Sequence, residues 1–333
     1  MKLLVTGGAG FIGSNFIHHI LGKYPNYKVV NIDKLTYCGN LDNLEKVENH
    51  NNYKFIKCDI CDSEKIDEIF EEEKPDFVIN FAAETHVDRS ILEPYSFTNT
   101  NVIGTHVLLE TAKKYGIERF LHISTDETYG SINNGKFKED DILMPNSPYS
   151  ASKASADLLA RSYFKTFSLP VVITRSSNNY GPYQFPEKVI PLFVSNLLEN
   201  KKIPLYGTGM NIRDWIYVQD NCEGLDAVLH RGDDGEIYNI GGGDEKTNLE
   251  LTKIILNELG KDESHIEYVE DRLGHDLRYA LNIEKVSKIG WQPRHTFEDA
   301  IKETIKWYKE NKSWWKKLKK EAFSEYYKKQ YNK

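Results

Sequence analysis

The first half of the chain alternates short apolar, β-branched runs with longer stretches in which apolar residues recur at helical spacing. Apolar runs separated by amphipathic helices are typical of a parallel sheet with helices on both faces. The runs predict strands at residues 2–6, 27–32, 53–58, 77–80, 120–124 and 171–174. The stretches between them predict helices near residues 12–22, 64–73, 95–115 and 148–167. We therefore expect an α/β fold with a doubly wound parallel sheet of the Rossmann type.

The regular alternation stops after Arg175, where Gly, Pro and aromatic residues become frequent. Loop-rich sequence of this kind is typical of a smaller domain built around a ligand. We expect two interdigitated domains, with a strand near residues 236–240 returning to the sheet. The dinucleotide-binding domain would comprise residues 1–174 and about 214–240, and the substrate-binding domain about 175–213 and 241–333.

Composition narrows the classes of function. The chain has 333 residues, a formal net charge of −7 and four cysteines. The negative charge argues against a nucleic-acid surface, and no apolar run is long enough for a membrane span. The N-terminus lacks a signal-peptide pattern and the cysteines are too few for a disulfide framework, so we expect reduced thiols and a cytoplasmic location.

Two segments allow an alternative interpretation. Cys58 and Cys61 form a CxxC pair, but no second pair would complete a zinc site. Redox pairs normally open a helix, whereas this motif follows a strand.

The tail at residues 307–333 is rich in Lys and aromatic residues. Glu310, Glu321 and Glu325 interrupt its basic face, which favours a solvated terminal helix with inward aromatics over a membrane-surface helix.

A glycine-rich loop, GGAGFIG, follows the first predicted strand and opens the first helix, with glycines at Gly7, Gly10 and Gly13. Such a loop lets the backbone approach a pyrophosphate, whose charge the helix N-terminus stabilises. Asp33 ends the second strand, 20 residues after Gly13. An acid there accepts hydrogen bonds from ribose hydroxyls and repels a 2′-phosphate, so the pattern favours NAD over NADP.

Tyr149 and Lys153 lie four residues apart in a predicted helix that Ser147 would cap and Pro148 would begin. At that spacing both side chains project from one helix face. A lysine ammonium near a tyrosine would stabilise the phenolate and lower its pKa, so that it could take a proton from a sugar hydroxyl.

An acid pair, Asp126 and Glu127, follows Ser124 and Thr125 at the end of the predicted strand at 120–124. Charged residues mostly face water, so a solvated loop is one interpretation. The carboxyl end of a parallel strand is also where such sheets bind ligands. Two neighbouring acids held in different protonation states can supply both an acid and a base to one reaction.

These motifs resemble the extended short-chain dehydrogenase/reductase superfamily and, within it, the dTDP-glucose 4,6-dehydratase family. The similarity extends along essentially the whole chain, in blocks such as TGGAGFIGSN, AAETHVDRSI, HISTDETYG, YSASKA, RSSNNYGPYQFPEKVIPLF and IRDWIYVQD. The most specific block is Thr125-Asp126-Glu127, because many related epimerases lack the acid pair. Leu273 departs from the family pattern, which usually has Pro at this position.

The resemblance implies a lyase that converts dTDP-glucose to dTDP-4-keto-6-deoxy-glucose and water. NAD would oxidise carbon 4 with Tyr149 and Lys153, and the resulting ketone makes the hydrogen on carbon 5 acidic. Glu127 would then remove the carbon 5 proton, Asp126 would protonate the leaving hydroxyl of carbon 6, and the hydride would return to carbon 6.

The resemblance also implies the residues of each site. The catalytic residues would be Thr125, Asp126, Glu127, Tyr149 and Lys153. The NAD-binding residues would be Gly7, Gly10, Phe11, Ile12, Gly13, Asp33, Lys34, Leu35, Thr36, Asp59, Ile60, Phe81, Ala82, Ala83, Thr100, Tyr149, Lys153 and Asn179. The residues that bind the nucleotide sugar would be Thr85, Thr125, Asn178, Lys188, Arg213, Asn248, Arg272, His275 and Tyr279. No metal is expected.

Several alternatives stay open at this point. Another nucleotide-sugar 4,6-dehydratase acting on a CDP- or UDP-sugar, or a nucleotide-sugar 4-epimerase, would share the fold. A non-catalytic NAD-binding regulatory module would need no acid-base set. The resemblance further implies a homodimer in which helices near 95–115 and 148–167 pair with their symmetry mates, with Val102, Val107, Leu108, Leu158 and Leu159 as candidate contacts.

Overall fold

A computed structural model describes residues 1–320 of the chain, and its main feature is a parallel sheet of seven strands. The strands in chain order are β1 (Lys2–Thr6), β2 (Lys28–Asp33), β3 (Tyr53–Lys57), β4 (Phe77–Asn80), β5 (Arg119–Thr125), β6 (Val171–Ser176), β7 (Asn178–Tyr180), β8 (Ile203–Tyr206), β9 (Ile212–Tyr217), β10 (Ile237–Ile240), β11 (Asp244–Thr247) and β12 (Ile266–Val269). The large sheet has the order β10-β6-β5-β4-β1-β2-β3. The order reverses beside β1, and this confirms the doubly wound α/β fold.

Helices connect and cover these strands. They are α1 (Phe11–Lys23), α2 (Ser63–Glu73), α3 (Val87–Leu92), α4 (Pro94–Phe97), α5 (Thr105–Tyr115), α6 (Pro148–Phe167), α7 (Val189–Leu198), α8 (Val218–Arg231), α9 (Asn248–Glu258), α10 (Glu284–Lys288), α11 (Phe297–Glu310) and α12 (Lys312–Lys320). One apolar core joins the sheet to α1 and α8, and another joins its opposite face to α2, α5 and α6.

Helix α6 begins and ends where the sequence predicts. Ser147 Oγ accepts a hydrogen bond from the backbone N–H of Ser150, and Ser150 Oγ accepts one from the backbone N–H of Ser147. Pro148 occupies the first helical position. A backbone N–H at this position has no hydrogen-bond partner within the helix, so proline, which lacks the N–H, fits there without loss of a hydrogen bond. This capping fixes the first turn of α6, which carries Tyr149.

The predicted helix at 95–115 is not one regular helix. Between α4 and α5 the chain forms a π-helical stretch, Thr98–Gly104. A Cβ on Gly104 would lie 2.5 Å from Ile60 Cδ1, so glycine permits the close approach there. The irregular stretch places Thr100 on the central cavity, in keeping with the frequency of π-bulges at functional sites.

The region after β6 builds smaller sheets with the order β11-β9-β7 and β12-β8, packed on α7, α9 and α11. Strand β10 returns to the edge of the large sheet beside β6. Helix α8 packs on α1 and β10 joins the large sheet, so we propose that the second segment of the dinucleotide-binding domain, predicted at about 214–240, contributes these two elements.

The described part of the tail packs inward. Trp315 is fully buried and donates from Nε1 to Tyr308 O at 2.8 Å, and Trp314 donates to Asn43 Oδ1 at 2.9 Å. The prediction for Glu321 and Glu325 lies outside the described residues. Within residues 1–320, every helix is too short or too polar to cross a membrane.

Candidate active site

The loop after β1 has a shape that only glycine permits. Gly7 has a φ of +67°, and a Cβ on it would lie 2.6 Å from Ala82 N. A Cβ on Gly13 would lie 2.5 Å from Gly7 O. Gly10 precedes α1 without any side-chain cap, so the first N–H groups of the helix point to the open side of the loop, where an anion binds favourably.

Asp33 ends β2 beside this loop. Its carboxylate accepts hydrogen bonds from Ala9 N at 3.0 Å and Leu35 N at 2.8 Å. Lys34 forms a 2.6 Å ion pair with Asp59, which follows β3. The acid is thus held rigidly at the position where an adenosine ribose would bind in this fold.

One continuous cavity extends from the glycine loop to the ends of β5 and β6. It is lined by every residue predicted to bind NAD except Leu35, whose backbone N–H instead holds Asp33. It is also lined by four residues predicted to face the sugar, namely Thr85, Thr125, Asn178 and Lys188. Asn178 Oδ1 and Asn179 Oδ1 are buried without a hydrogen-bond partner in the described chain, whereas Asn179 Nδ2 donates to Ser177 O at 3.0 Å, so both side-chain oxygens can accept a hydrogen bond from a ligand.

The acid pair lies at the carboxyl end of β5 and is not on a solvated loop. Asp126 is 2% exposed and begins a 3-10 turn, Asp126–Tyr129. Thr125 caps this turn, because its Oγ1 accepts from Glu127 N at 3.3 Å and donates to Asp126 Oδ1 at 3.2 Å. Asp126 Oδ2 is buried without a hydrogen-bond partner.

The surroundings of the two acids differ in charge. Burial raises the pKa of Asp126 well above its usual range, and Glu127 and Asp214 raise it further. Burial also raises the pKa of Glu127, but Arg272, Arg213 and Lys188 oppose that rise. The difference has the direction that a protonated Asp126 and an ionised Glu127 require.

Tyr149 and Lys153 reach the same cavity from α6. Lys153 Nζ donates to Ile123 O at 2.6 Å, which fixes the ammonium under the end of β5. Burial lowers the pKa of Lys153 to about 8, and Asp157 opposes that change.

The expectation of a lowered tyrosine pKa is wrong for this structure. Burial raises the pKa of Tyr149, and the carboxylate of Glu127 adds to the rise. The sequence argument considered only Lys153 and omitted desolvation and the neighbouring acids, which both favour the neutral phenol.

The remaining predicted nucleotide residues form a second cluster outside the lining of that cavity. The Arg213 guanidinium lies 4.4 Å from the centre of the Tyr279 ring and donates to Asp276 O at 3.0 Å. Arg272 pairs with Asp88 at 3.5 Å, and His275 with Asp271 at 2.6 Å. Asn248 begins α9, and its backbone N–H donates to Asn211 O. The Asn211 side chain in turn donates from Nδ2 to Asp276 O at 3.1 Å. The positive charges of Arg213 and Arg272 are close enough to Glu127 to oppose the rise in its pKa, so this cluster borders the acid pair.

Some residues of the cavity were not predicted from the sequence. They include Tyr37, Cys38, Glu84, Gln184, Phe185 and Glu187, together with the strand-end serines Ser124, Ser176 and Ser177. Ser124 could have been included because it precedes Thr125 at a strand end. The loop residues give no such pattern, because only the fold brings residues near 37 and 187 together.

Both thiols of the CxxC pair donate to backbone oxygens, Cys58 Sγ to Asp59 O at 3.2 Å and Cys61 Sγ to Asn99 O at 3.4 Å. Burial raises the pKa of Cys58 and of Cys61 to about 11, which keeps both thiols protonated at neutral pH. The described residues contain no group of three or more side chains suited to a metal ion.

Comparisons with known proteins agree with this geometry. The model of the GDP-mannose 4,6 dehydratase family matches residues 4–304. A dTDP-glucose 4,6-dehydratase of Streptomyces antibioticus is 51% identical over 326 residues, which cover 96% of each chain.

Two solved structures are similar over nearly their full length. The dTDP-glucose 4,6-dehydratase of Bacillus anthracis in complex with NAD is 52% identical, with a TM-score of 0.90 and coverage of 96% of this chain and 99% of that one. The enzyme DesIV of Streptomyces venezuelae with NAD bound is 50% identical, with a TM-score of 0.93 and coverage of 96% and 100%. The chain therefore belongs to the dTDP-glucose 4,6-dehydratase family, within the wider group that the family model describes.

Proposed function

We propose that this protein is an NAD-dependent hydro-lyase that converts dTDP-glucose to dTDP-4-keto-6-deoxy-glucose and water. The observation that carries the proposal is the acid pair of buried Asp126 and half-buried Glu127, which lines the same cavity as Tyr149 and Lys153 at one end of the sheet. An oxidation requires only the tyrosine and lysine. The removal of water requires the additional acid and base.

The residues of the cavity fit NAD. The uncapped N-terminus of α1 and the Gly7–Gly13 loop would hold the pyrophosphate, and Asp33 would hold the adenosine ribose. Asn179, with a free buried Oδ1, would face the nicotinamide end. When bound, NAD supplies the acceptor for the hydride of carbon 4 and the donor that returns it to carbon 6.

Each side chain then has one task. In the phenolate form, which the Lys153 ammonium stabilises, Tyr149 takes the proton of the carbon 4 hydroxyl and becomes a neutral phenol. Glu127 takes the proton of carbon 5, which the neighbouring ketone has made acidic. Asp126, kept protonated by burial, gives its proton to the departing hydroxyl of carbon 6. Thr125 holds both acids through its hydroxyl.

The nucleotide portion would bind at the second cluster. Arginine guanidinium groups bind diphosphate oxygens in pairs of hydrogen bonds, and a tyrosine ring packs on a base or sugar. Arg213, Arg272 and Tyr279 provide these groups next to the acids. The reaction centre of the sugar would then lie between this cluster and the cofactor.

The direct test is incubation with dTDP-, UDP- and CDP-glucose, followed by mass and NMR analysis of the sugar. We expect a 4-keto-6-deoxy product with dTDP-glucose, and much slower turnover with the other two. Product from UDP- or CDP-glucose at an equal rate would contradict the base preference. A 4-epimer without loss of water would contradict the lyase assignment.

The cellular location and the oligomeric state of the protein are two further proposals. We propose a cytoplasmic location, since all four cysteines are free thiols and reduced thiols persist in the cytosol. A homodimer through α5 and α6 is supported by exposed apolar side chains on and near these helices, among them Leu158 at 59% and Ile103 at 47%.

A further inference from the structure

The Glu187 carboxylate is buried between two segments that are distant in the sequence. Its side chain is 1% exposed. Oε1 accepts a hydrogen bond from the Tyr37 hydroxyl at 2.7 Å, and Oε2 accepts one from Arg89 Nε at 3.2 Å. The Arg89 guanidinium also lies 3.9 Å from the centre of the Tyr37 ring. The three side chains thus form a compact unit, here called the Glu187 bridge.

The Tyr37 side of the bridge belongs to the loop at residues 34–40, here called the cofactor loop. This loop leaves β2 at Asp33, and its far end is fastened to the glycine loop, because Asn40 N donates to Ala9 O at 3.0 Å. Ala9 N in turn donates to Asp33 Oδ2 at 3.0 Å. Any change that orders the ribose-binding carboxylate therefore also orders the loop that carries Tyr37.

The other side of the bridge belongs to the predicted substrate residues. Lys188 follows Glu187 directly, and its Nζ donates to Thr85 O at 3.0 Å. Helix α3 follows Thr85 and carries two charges. Arg89 binds Glu187, while Asp88 binds Arg272 of the nucleotide cluster at 3.5 Å.

From this connectivity we propose that Glu187 is a positioning residue that couples binding of NAD to binding of the nucleotide sugar. The inference rests on the function proposed above. A buried carboxylate keeps its charge only while its donors stay in place. When bound NAD orders the cofactor loop, Glu187 is held in place, and Lys188 and α3 are held with it in the position that binds the nucleotide. By thermodynamic linkage, bound nucleotide must then raise the affinity of the protein for NAD by the same factor.

The test uses the intact holoenzyme and measures the release of NAD in a chase experiment, with and without saturating dTDP. In the native protein we expect dTDP to slow NAD release on the order of 5-fold or more, a usual size for coupled sites. In Glu187→Gln, and separately in Tyr37→Phe, the slowing should fall below about 2-fold. A loss of general stability alone would speed NAD release equally with and without dTDP.

Tyr24→Phe is the matched control. It removes a tyrosine hydroxyl that contacts the carboxylate of Asp226 at 3.0 Å between α1 and α8, outside the lining of the cavity. This variant should keep the full effect of dTDP. If dTDP slows NAD release in both bridge variants as much as in the native protein, the coupling role is refuted while the proposed function stands. If dTDP does not bind the native protein at all, the proposed nucleotide specificity and the coupling fail together.

Discussion

The acid pair and the tyrosine-lysine pair make separable contributions to the reaction, because one acts on carbon 4 and the other on carbons 5 and 6. Tyr149→Phe removes the group that takes the hydroxyl proton, so no absorbance of reduced cofactor should appear when dTDP-glucose is added. Asp126→Asn and Glu127→Gln should still reduce the cofactor and stall before loss of water. Turnover of each acid variant should fall on the order of 100-fold or more. Near-native turnover of both acid variants would remove the main support for the lyase.

The two acids should also differ from each other. Glu127 is the residue assigned to the carbon 5 proton, so solvent deuterium should enter carbon 5 in the native enzyme. This exchange should be suppressed more by Glu127→Gln than by Asp126→Asn, as measured by NMR of the sugar. Equal suppression would contradict the division of roles that the charges around the pair indicate.

Lys153 should give the oxidation step an alkaline limit. Burial lowers its pKa to about 8, and the ammonium form that stabilises the phenolate is present below that pH and lost above it. The rate of cofactor reduction in a single turnover should therefore decline as the pH rises through about 8. Glu127→Gln serves as the background for this measurement, because the later loss of water is then blocked. A rate that stays constant up to pH 9.5 would show that the charge of Lys153 is not needed.

At the scale of elements, the turn from β1 into α1 should be intolerant of any side chain. Gly7→Ala forces a Cβ to within 2.6 Å of Ala82 N in a left-handed conformation, a strain of about 1–3 kcal/mol even without the overlap. The native protein should purify with bound NAD and need no added reductant, whereas this variant should lose the cofactor and melt at a lower temperature.

Gly22, in the helix α1 that follows the turn, offers a control. A Cβ there meets no atom within 4 Å, so Gly22→Ala should retain NAD and stabilise the protein by about 0.5–1 kcal/mol through the lower entropy of the unfolded chain. Retention of NAD by Gly7→Ala, measured by absorbance of the purified protein, would contradict the assigned role of the loop.

The strands of the large sheet and the ends of α6 were predictable because each depends on residues adjacent in the sequence, whereas the strands of the smaller sheets were not predicted. Strand ends differ from the predictions by at most two residues, since β-branched runs mark the strands, and Ser147 and Pro148 mark the helix start. The π-helical stretch was not predictable, because it depends on Gly104 packing against Ile60. The Glu187 bridge was missed for the same reason. Tyr37 and Glu187 are 150 positions apart, and neither stands in a motif that indicates the other.

At the scale of the whole molecule, one part of the predicted dimer interface needs correction. Leu108 is fully buried in the core of its own subunit, packed with α2 and α6. It therefore cannot contact a second subunit. Val102, Val107 and Leu159 are half-buried, whereas Leu158 is 59% exposed. Helix periodicity alone does not distinguish the face toward the sheet from the face toward a partner.

The exposed side chains provide a test of the assembly. Leu158→Glu places a charge in the proposed interface and should shift the protein from dimer to monomer in sedimentation velocity, by raising the dimer dissociation constant at least about tenfold. Ile142 is 80% exposed and lies outside these helices, so Ile142→Glu should leave the dimer intact. A native protein that sediments as a monomer at all concentrations would exclude the dimer.

The central claim is that oxidation, loss of water and reduction occur on one sugar without release of reduced cofactor. Its most direct test is a reaction of the purified protein with dTDP-glucose carrying deuterium at carbon 4, in ordinary water and without added NAD. The account predicts a 4-keto-6-deoxy sugar with one deuterium at carbon 6, detected by NMR and mass spectrometry. Deuterium that remains at carbon 4, as in epimerisation, or that is lost to free reduced cofactor would contradict it.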